Sequence, residues 1–167
     1  MFKTPANALL VPVLKVYIII IALLMVACSK PNDFTYLHGH EAAFDDLKGQ
    51  WTVINYWAEW CKPCIKEIPE LNALDANNAH IKVIGINFDQ PQKAVLMEQS
   101  DKLNIKFDNI LIAEGPDPFL QRFAYEKPKA LPTTVIITPN LSVKVVLMGP
   151  QDEATLSALI NGYASEQ

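Results

Sequence analysis

The most constraining feature of this chain is a short, largely apolar segment that is followed, within a few residues, by two closely spaced cysteines. Residues Trp51–Trp57 are rich in β-branched and aromatic side chains and are too few for a free-standing helix, so they predict a buried strand. The segment Trp60-Cys61-Lys62-Pro63-Cys64 follows, and apolar residues then recur at helical spacing to about Asn77. The sequence therefore predicts a strand, a cysteine pair and a helix in direct succession.

The spacing of the two cysteines gives them different roles. We expect Cys61 at the exposed N-terminal end of the helix and Cys64 one turn inside on the same face, with Pro63 in the first turn. Cys61 can then meet a partner's disulfide, and Cys64 can resolve the mixed disulfide that forms. Helix N–H groups and Lys62 favour the Cys61 thiolate, although positioning must supply most of the rate. The cysteine pair is itself the redox group, so no cofactor is expected.

The rest of the chain alternates predicted strands and helices. Residues 34–49 indicate a small extended piece with a turn at 38–40. Further strands are predicted at 81–88, 109–113, 133–138 and 143–148, and helices at 93–103, 118–123 and 152–163. Asp152 is the expected N-cap of the last helix, and Pro69 predicts a kink in the first. This alternation is typical of an α/β fold.

The N-terminal residues have the character of a targeting segment. Residues 16–27 form an unbroken apolar run, preceded by Lys3 and Lys15 and free of acids. As a helix the run would span roughly 18 Å, well short of the ~30 Å hydrocarbon core, so a signal peptide at 1–27 is the better interpretation. Residues 25–28 (MVAC) resemble the lipobox of bacterial lipoproteins. We therefore expect a lipid on Cys28, a tether at 28–33 and attachment to a membrane.

The charge balance argues against one class of partner. Removal of residues 1–27 would leave 12 basic against 18 acidic residues, a net charge of −6. A chain of this charge is an unlikely binder of nucleic acid.

Two segments carry a family resemblance. Residues 55–64 (NYWAEWCKPC) resemble the active-site strand and loop of thioredoxins, and residues 131–134 (LPTT) resemble the cis-proline loop of the same fold. The chain is most similar to the extracytoplasmic, membrane-anchored TlpA/ResA group. Three features support this subgroup: Asn55 replaces the buried Asp of cytoplasmic thioredoxins, residues 93–128 can hold the group's central insertion, and Glu67 follows Cys64 by three positions.

The resemblance covers residues 34–167 and implies a fold. That fold is thioredoxin-like, with a central mixed β-sheet flanked by helices, an N-terminal extension and a central insertion. The resemblance also implies a cis bond before Pro132, which would hold Leu131 beside Cys61 and offer its backbone to a substrate segment. Trp60 is expected next to the sulfur atoms.

Glu67 has a predicted chemical role. It lies three residues after Cys64 on the same helical face, where it could take the proton from Cys64 when that thiol must attack. The resemblance implies an acid near the active site at this position.

The resemblance also implies partners and a direction. It favours an extracytoplasmic reductase of disulfides in secreted proteins, with cytochrome c apoprotein as one candidate substrate. A membrane thiol–disulfide transporter would supply the electrons.

Two other functions stay open on the sequence alone. A copper chaperone could use the cysteines with His38, His40 or His80, although the related proteins resemble a pattern with three residues between the cysteines. A thiol peroxidase would share the fold, but the Pro-x-x-x-Thr-x-x-Cys pattern of peroxiredoxins is missing before Cys61.

Overall fold

The strand that precedes the cysteines lies at the centre of the sheet. The computed structural model describes residues 32–112 and 115–166. In chain order its elements are β1 (Phe34–Tyr36), β2 (Glu41–Ala42), a 3-10 helix (Phe44–Leu47), β3 (Trp51–Trp57), α1 (Lys62–Asn77), β4 (Ile81–Asn87), α2 (Lys93–Lys102), β5 (Asp108–Leu111), α3 (Pro118–Phe123), β6 (Thr133–Ile137), β7 (Val143–Met148) and α4 (Glu153–Ser165). The strand order is β2-β1-β5-β4-β3-β6-β7.

The sheet is mixed, as the resemblance implied. Strand β3 pairs in parallel with β4 and antiparallel with β6, and β7 forms one edge. The register sets Asn55 opposite Thr134 and Tyr56 opposite Thr133. The end of β3 therefore brings the cysteine segment next to the segment that contains Pro132.

Buried side chains cover both faces of β3, which explains why its sequence is rich in apolar residues and shows no alternation with exposed polar ones. Val53 on one face packs with the buried stripe of α1 (Ile68, Leu71, Leu74) and with α4. Ile54 and Tyr56 on the other face pack with the N-terminal hairpin and with Phe119 of α3. The cysteine helix is thus fixed by one of these two core clusters.

Most predicted elements are confirmed, with small shifts at their ends. The bounds of β3, α3 and β7 agree with the prediction, and Asp152 caps α4 by accepting a hydrogen bond from Thr155 N at 2.7 Å. Strand β5 begins one residue earlier than predicted and ends at Leu111. Helix α1 continues through Pro69.

The targeting segment lies outside the described residues. This holds for the predicted signal peptide, for Cys28 and for most of the predicted tether, so lipidation stays a prediction. Within the described ranges, no helix is both long enough and apolar enough to cross a membrane.

Candidate active site

Cys61 and Cys64 form a disulfide at the start of α1, with their Cα atoms 5.3 Å apart. Cys61 is the N-cap residue of this helix, and its Sγ accepts a hydrogen bond from Cys64 N at 3.2 Å. Pro63 lies in the first turn, where its missing N–H leaves no helical bond unmade. The backbone donor that already contacts Cys61 Sγ would stabilise a thiolate there after reduction.

The prediction that Cys61 is exposed is wrong for this disulfide state. The residue is only 4% exposed and Cys64 only 1%. Both side chains pack in a cluster with Trp57 and Leu96, and the Sγ of Cys61 is bonded inward to Cys64. A partner must therefore fit closely over the sulfur atoms to reach them.

The exposed residues next to the disulfide form its rim. Lys62 and Pro63 are exposed, and Trp60 is 64% exposed. Trp60 Nε1 donates a hydrogen bond to Asp89 Oδ2 at 2.8 Å, which fixes the ring at the rim. Trp57, which is fully buried, belongs to the core cluster that contains both cysteines.

The cis-proline loop lies beside this rim. The Leu131–Pro132 peptide bond is cis, as the resemblance implied. Leu131 packs against the cluster that contains both cysteines, and Pro132 O accepts a hydrogen bond from Gly149 N at 2.9 Å. The structure thus brings Leu131 and the disulfide together, as predicted.

Glu67 is buried behind the disulfide on α1, with 1% of its surface exposed. Its Oε1 accepts a hydrogen bond from Gln151 N at 2.8 Å, and its Oε2 accepts one from Asn55 Nδ2 at 3.0 Å. Burial raises the pKa of Glu67 to about 7, because desolvation outweighs these two donors. The side chain can therefore both hold and release a proton near neutral pH.

Sequence reasoning missed two contacts around this carboxyl group, one made by its partner Asn55 and one made by Glu67 itself. Thr134 Oγ1 accepts a hydrogen bond from Asn55 Nδ2 at 3.2 Å, and Asn55 Oδ1 is buried without a partner. Gln151 lies 84 residues after Glu67 in the chain. Its contribution is a backbone N–H, which every residue except proline carries, so the sequence held no signal for it.

The described residues contain no cluster of metal-ligating side chains that would support the copper-chaperone alternative. His38, His40 and His80 are all exposed. In the two described ranges, no group of three or more His, Cys, Asp or Glu side chains is placed to hold a metal ion.

Comparison with known proteins identifies relatives over most of the described residues. The model of the AhpC/TSA family matches residues 29–146. The thiol-disulfide oxidoreductase ResA of Geobacillus kaustophilus is 29% identical over 125 residues, which are 72% of this chain and 68% of that protein. The thioredoxin-like protein YneN of Bacillus subtilis is 28% identical over 116 residues, and the match spans 65% of its length.

Solved structures share the fold. The crystal structure of StoA from Bacillus subtilis superposes with a TM-score of 0.59 at 21% identity. The superposition covers 74% of this chain and 90% of StoA.

Proposed function

The chain belongs to the AhpC/TSA family, and we propose that Cys61 and Cys64 make it a thiol–disulfide oxidoreductase. The observation that carries this proposal is the disulfide at the N-terminus of α1, which lies beside the cis-proline loop. Relatives with the name thiol-disulfide oxidoreductase support it.

The reduced protein transfers two electrons by exchanging disulfide bonds. The Cys61 thiolate attacks one sulfur of a substrate disulfide, whose S–S bond breaks as a mixed disulfide with Cys61 forms. The Cys64 thiol loses its proton and attacks Cys61 Sγ, which releases the second substrate thiol. The substrate gains two electrons and two protons, and the protein is left with the Cys61–Cys64 disulfide.

Glu67 accepts the proton that Cys64 must lose. Both residues are buried on the same face of α1, and the pKa of Glu67 of about 7 suits a base at neutral pH. A proton held by Glu67 also avoids leaving an isolated charge among the apolar side chains that surround the disulfide.

The rim holds the substrate chain against the disulfide. Leu131 offers its backbone to an extended substrate segment, and Pro132 fixes that loop beside the cysteines. Trp60, Lys62 and Pro63 form the exposed surface that a substrate covers.

The protein works outside the cytoplasm as a lipid-anchored reductase. The apolar N-terminal segment and the lipobox-like residues 25–28 support export and an anchor at Cys28. Its substrates are disulfides of secreted proteins, with cytochrome c apoprotein as one candidate. Each turnover leaves the protein oxidised, so a membrane dithiol carrier must reduce it again.

Trapping the mixed disulfide tests the proposal. Cys64→Ser removes the resolving thiol, so the variant should accumulate a covalent complex through Cys61 with insulin, used as a model disulfide protein. Cys61→Ser is the matched control and should trap nothing. Failure of Cys64→Ser to form any complex, when wild type also leaves insulin disulfides intact, would contradict the exchange function.

Equilibrium and competing reactions test the direction and the alternatives. Thiol labelling in glutathione buffers should give a reduction potential of the Cys61–Cys64 pair near or below about −250 mV for a reductase, whereas a value near about −120 mV would indicate an oxidant.

Consumption of hydrogen peroxide by the reduced protein would instead favour a peroxidase, and tight copper binding would favour a metal chaperone. Failure of a labelled fatty acid to appear on the protein in cells would contradict lipidation.

A further inference from the structure

Exposed apolar side chains lie on the edge strand next to the cis-proline loop. Val146 and Met148 on β7 are 45% and 73% exposed. Met148 is opposite Thr133 in the sheet, and Thr133 directly follows Pro132. This apolar surface therefore adjoins the loop at which the proposed substrate segment binds.

A groove runs over this surface. It has a volume of about 120 Å³ and is lined by Glu126, Lys127, Pro128, Lys129, Thr133, Val146 and Met148. Sites for small-molecule ligands typically measure roughly 300–1,000 Å³, so this groove suits one or two side chains better than a cofactor. Because Thr133 lines the groove and directly follows Pro132, a chain that is bound at Pro132 can continue into the groove.

The lining of the groove also includes two lysines, Lys127 and Lys129. Lys127 Nζ lies 4.8 Å from the centroid of the Phe88 ring, and Phe88 packs against the cluster that holds both cysteines. Lys127 thus connects the groove with the surroundings of the disulfide.

Lys129 is available to a second acid. Its side chain pairs with Glu126, but the two side chains are 79% and 82% exposed, and such surface pairs are weak and readily exchanged. The lining of the groove therefore combines two apolar strand residues with two lysines and Glu126, on a chain with a net charge of −4.

On the basis of the proposed function, we propose that this groove selects substrates by the residues next to the reactive cysteine. An apolar side chain of the extended substrate segment packs on Val146 and Met148, and a neighbouring acidic side chain contacts Lys127 and Lys129. The groove thus favours substrate cysteines that are flanked by an apolar and an acidic residue over those flanked by small or basic residues.

Chromogenic peptide disulfides test this selection. The probes are Glu-Leu-Cys-Leu-Glu, Lys-Leu-Cys-Leu-Lys and Gly-Ser-Cys-Ser-Gly, each carrying thionitrobenzoate on its cysteine, and hydroxyethyl disulfide, which has no side chains. Reduced protein should react with the acidic peptide roughly tenfold faster than with the basic one, and added salt should narrow that difference. The symmetric flanks make the result independent of the direction in which the peptide binds.

Surface variants separate the contribution of the two lysines from that of the two apolar side chains. Lys127→Glu with Lys129→Glu should reverse the charge preference, whereas Val146→Ser with Met148→Ser should slow both leucine peptides alike. Neither pair should change the rate with hydroxyethyl disulfide. Val95→Ser with Met97→Ser, at 44% and 38% exposure on α2, is the matched control and should leave every rate unchanged.

The outcomes separate the proposed substrate selection by the groove from the proposed thiol–disulfide exchange at the cysteines. Equal rates with all three peptides, or an equal loss with hydroxyethyl disulfide in the groove variants, would overturn the selection while leaving thiol exchange intact. A wild-type protein that reduces none of the probes would overturn the proposed function, and the groove proposal with it.

Discussion

Replacement of Glu67 by glutamine isolates the cost of burying this carboxylate. Burial raises its pKa from 4.5 to about 7, so the folded protein binds this proton more tightly than the unfolded chain does. The resulting stabilisation is fully present below about pH 4.5 and is lost as the pH rises through about 7. Glutamine keeps the shape of the side chain and does not titrate.

The pKa shift sets the expected size of the effect. At 1.36 kcal/mol per unit, wild type should lose about 2 to 3 kcal/mol of unfolding free energy between pH 5 and pH 8 that Glu67→Gln does not lose. Solvent screening does not reduce this effect on the free energy of unfolding, because the Glu67 side chain is only 1% exposed. Asn55 Oδ1, which has no partner, can accept a hydrogen bond from the glutamine amide after rotation of the Asn55 side chain.

Urea unfolding of the oxidised proteins at both pH values provides the measurement. Every other titrating group is common to the two proteins, so the difference between wild type and variant reports Glu67 alone. A difference in the free energy of unfolding that is the same at both pH values would reflect the altered hydrogen bonds. A difference that changes by less than about 0.5 kcal/mol between the two pH values would refute a raised pKa for Glu67 and, with it, the role of this residue as a base near pH 7.

Substitutions at three further positions probe the scaffold, and urea unfolding gives the free energy of unfolding of each variant. Gly85→Ala should lower the free energy of unfolding by roughly 2 kcal/mol, because the added methyl group would overlap the Asn109 side-chain oxygen. That oxygen accepts a hydrogen bond from Trp57 Nε1. An unchanged free energy of unfolding would contradict the close packing at Gly85. Tyr56→Phe removes the hydroxyl that lies 2.6 Å from Asp117 Oδ2 and should cost about 1 to 3 kcal/mol, and a neutral result would show that water replaces the hydroxyl. Asp152→Ala should cost about 1 kcal/mol through loss of the N-cap of α4, whereas Asp152→Asn, which retains an acceptor, should cost less.

Local patterns in the sequence were enough to predict much of the fold. The strands predicted at Trp51–Trp57 and at Val143–Met148 both have the observed bounds. Strand β3 is rich in apolar residues because it is covered on both faces, and this composition predicted a buried strand. These features depend on residues close together in the chain.

The surroundings of the disulfide depend on distant residues and could not be predicted in the same way. The position of Glu67 near the cysteines followed from helical spacing, but its burial depends on the register that brings Gln151 and Thr134 to α1 and β3. The low exposure of Cys61 likewise depends on packing with Leu37, which lies 24 positions earlier in the chain. Periodicity carries no information on such contacts.

The three tryptophans give the protein a built-in optical reporter. Trp57 is fully buried in the cluster with both cysteines, Trp51 stacks on Tyr163 in a separate part of the core, and Trp60 is exposed to solvent. A disulfide quenches the emission of an adjacent indole. Protein that retains only Trp57 would therefore brighten on reduction, and the emission of Trp60 alone would follow the arrival of a partner at the rim.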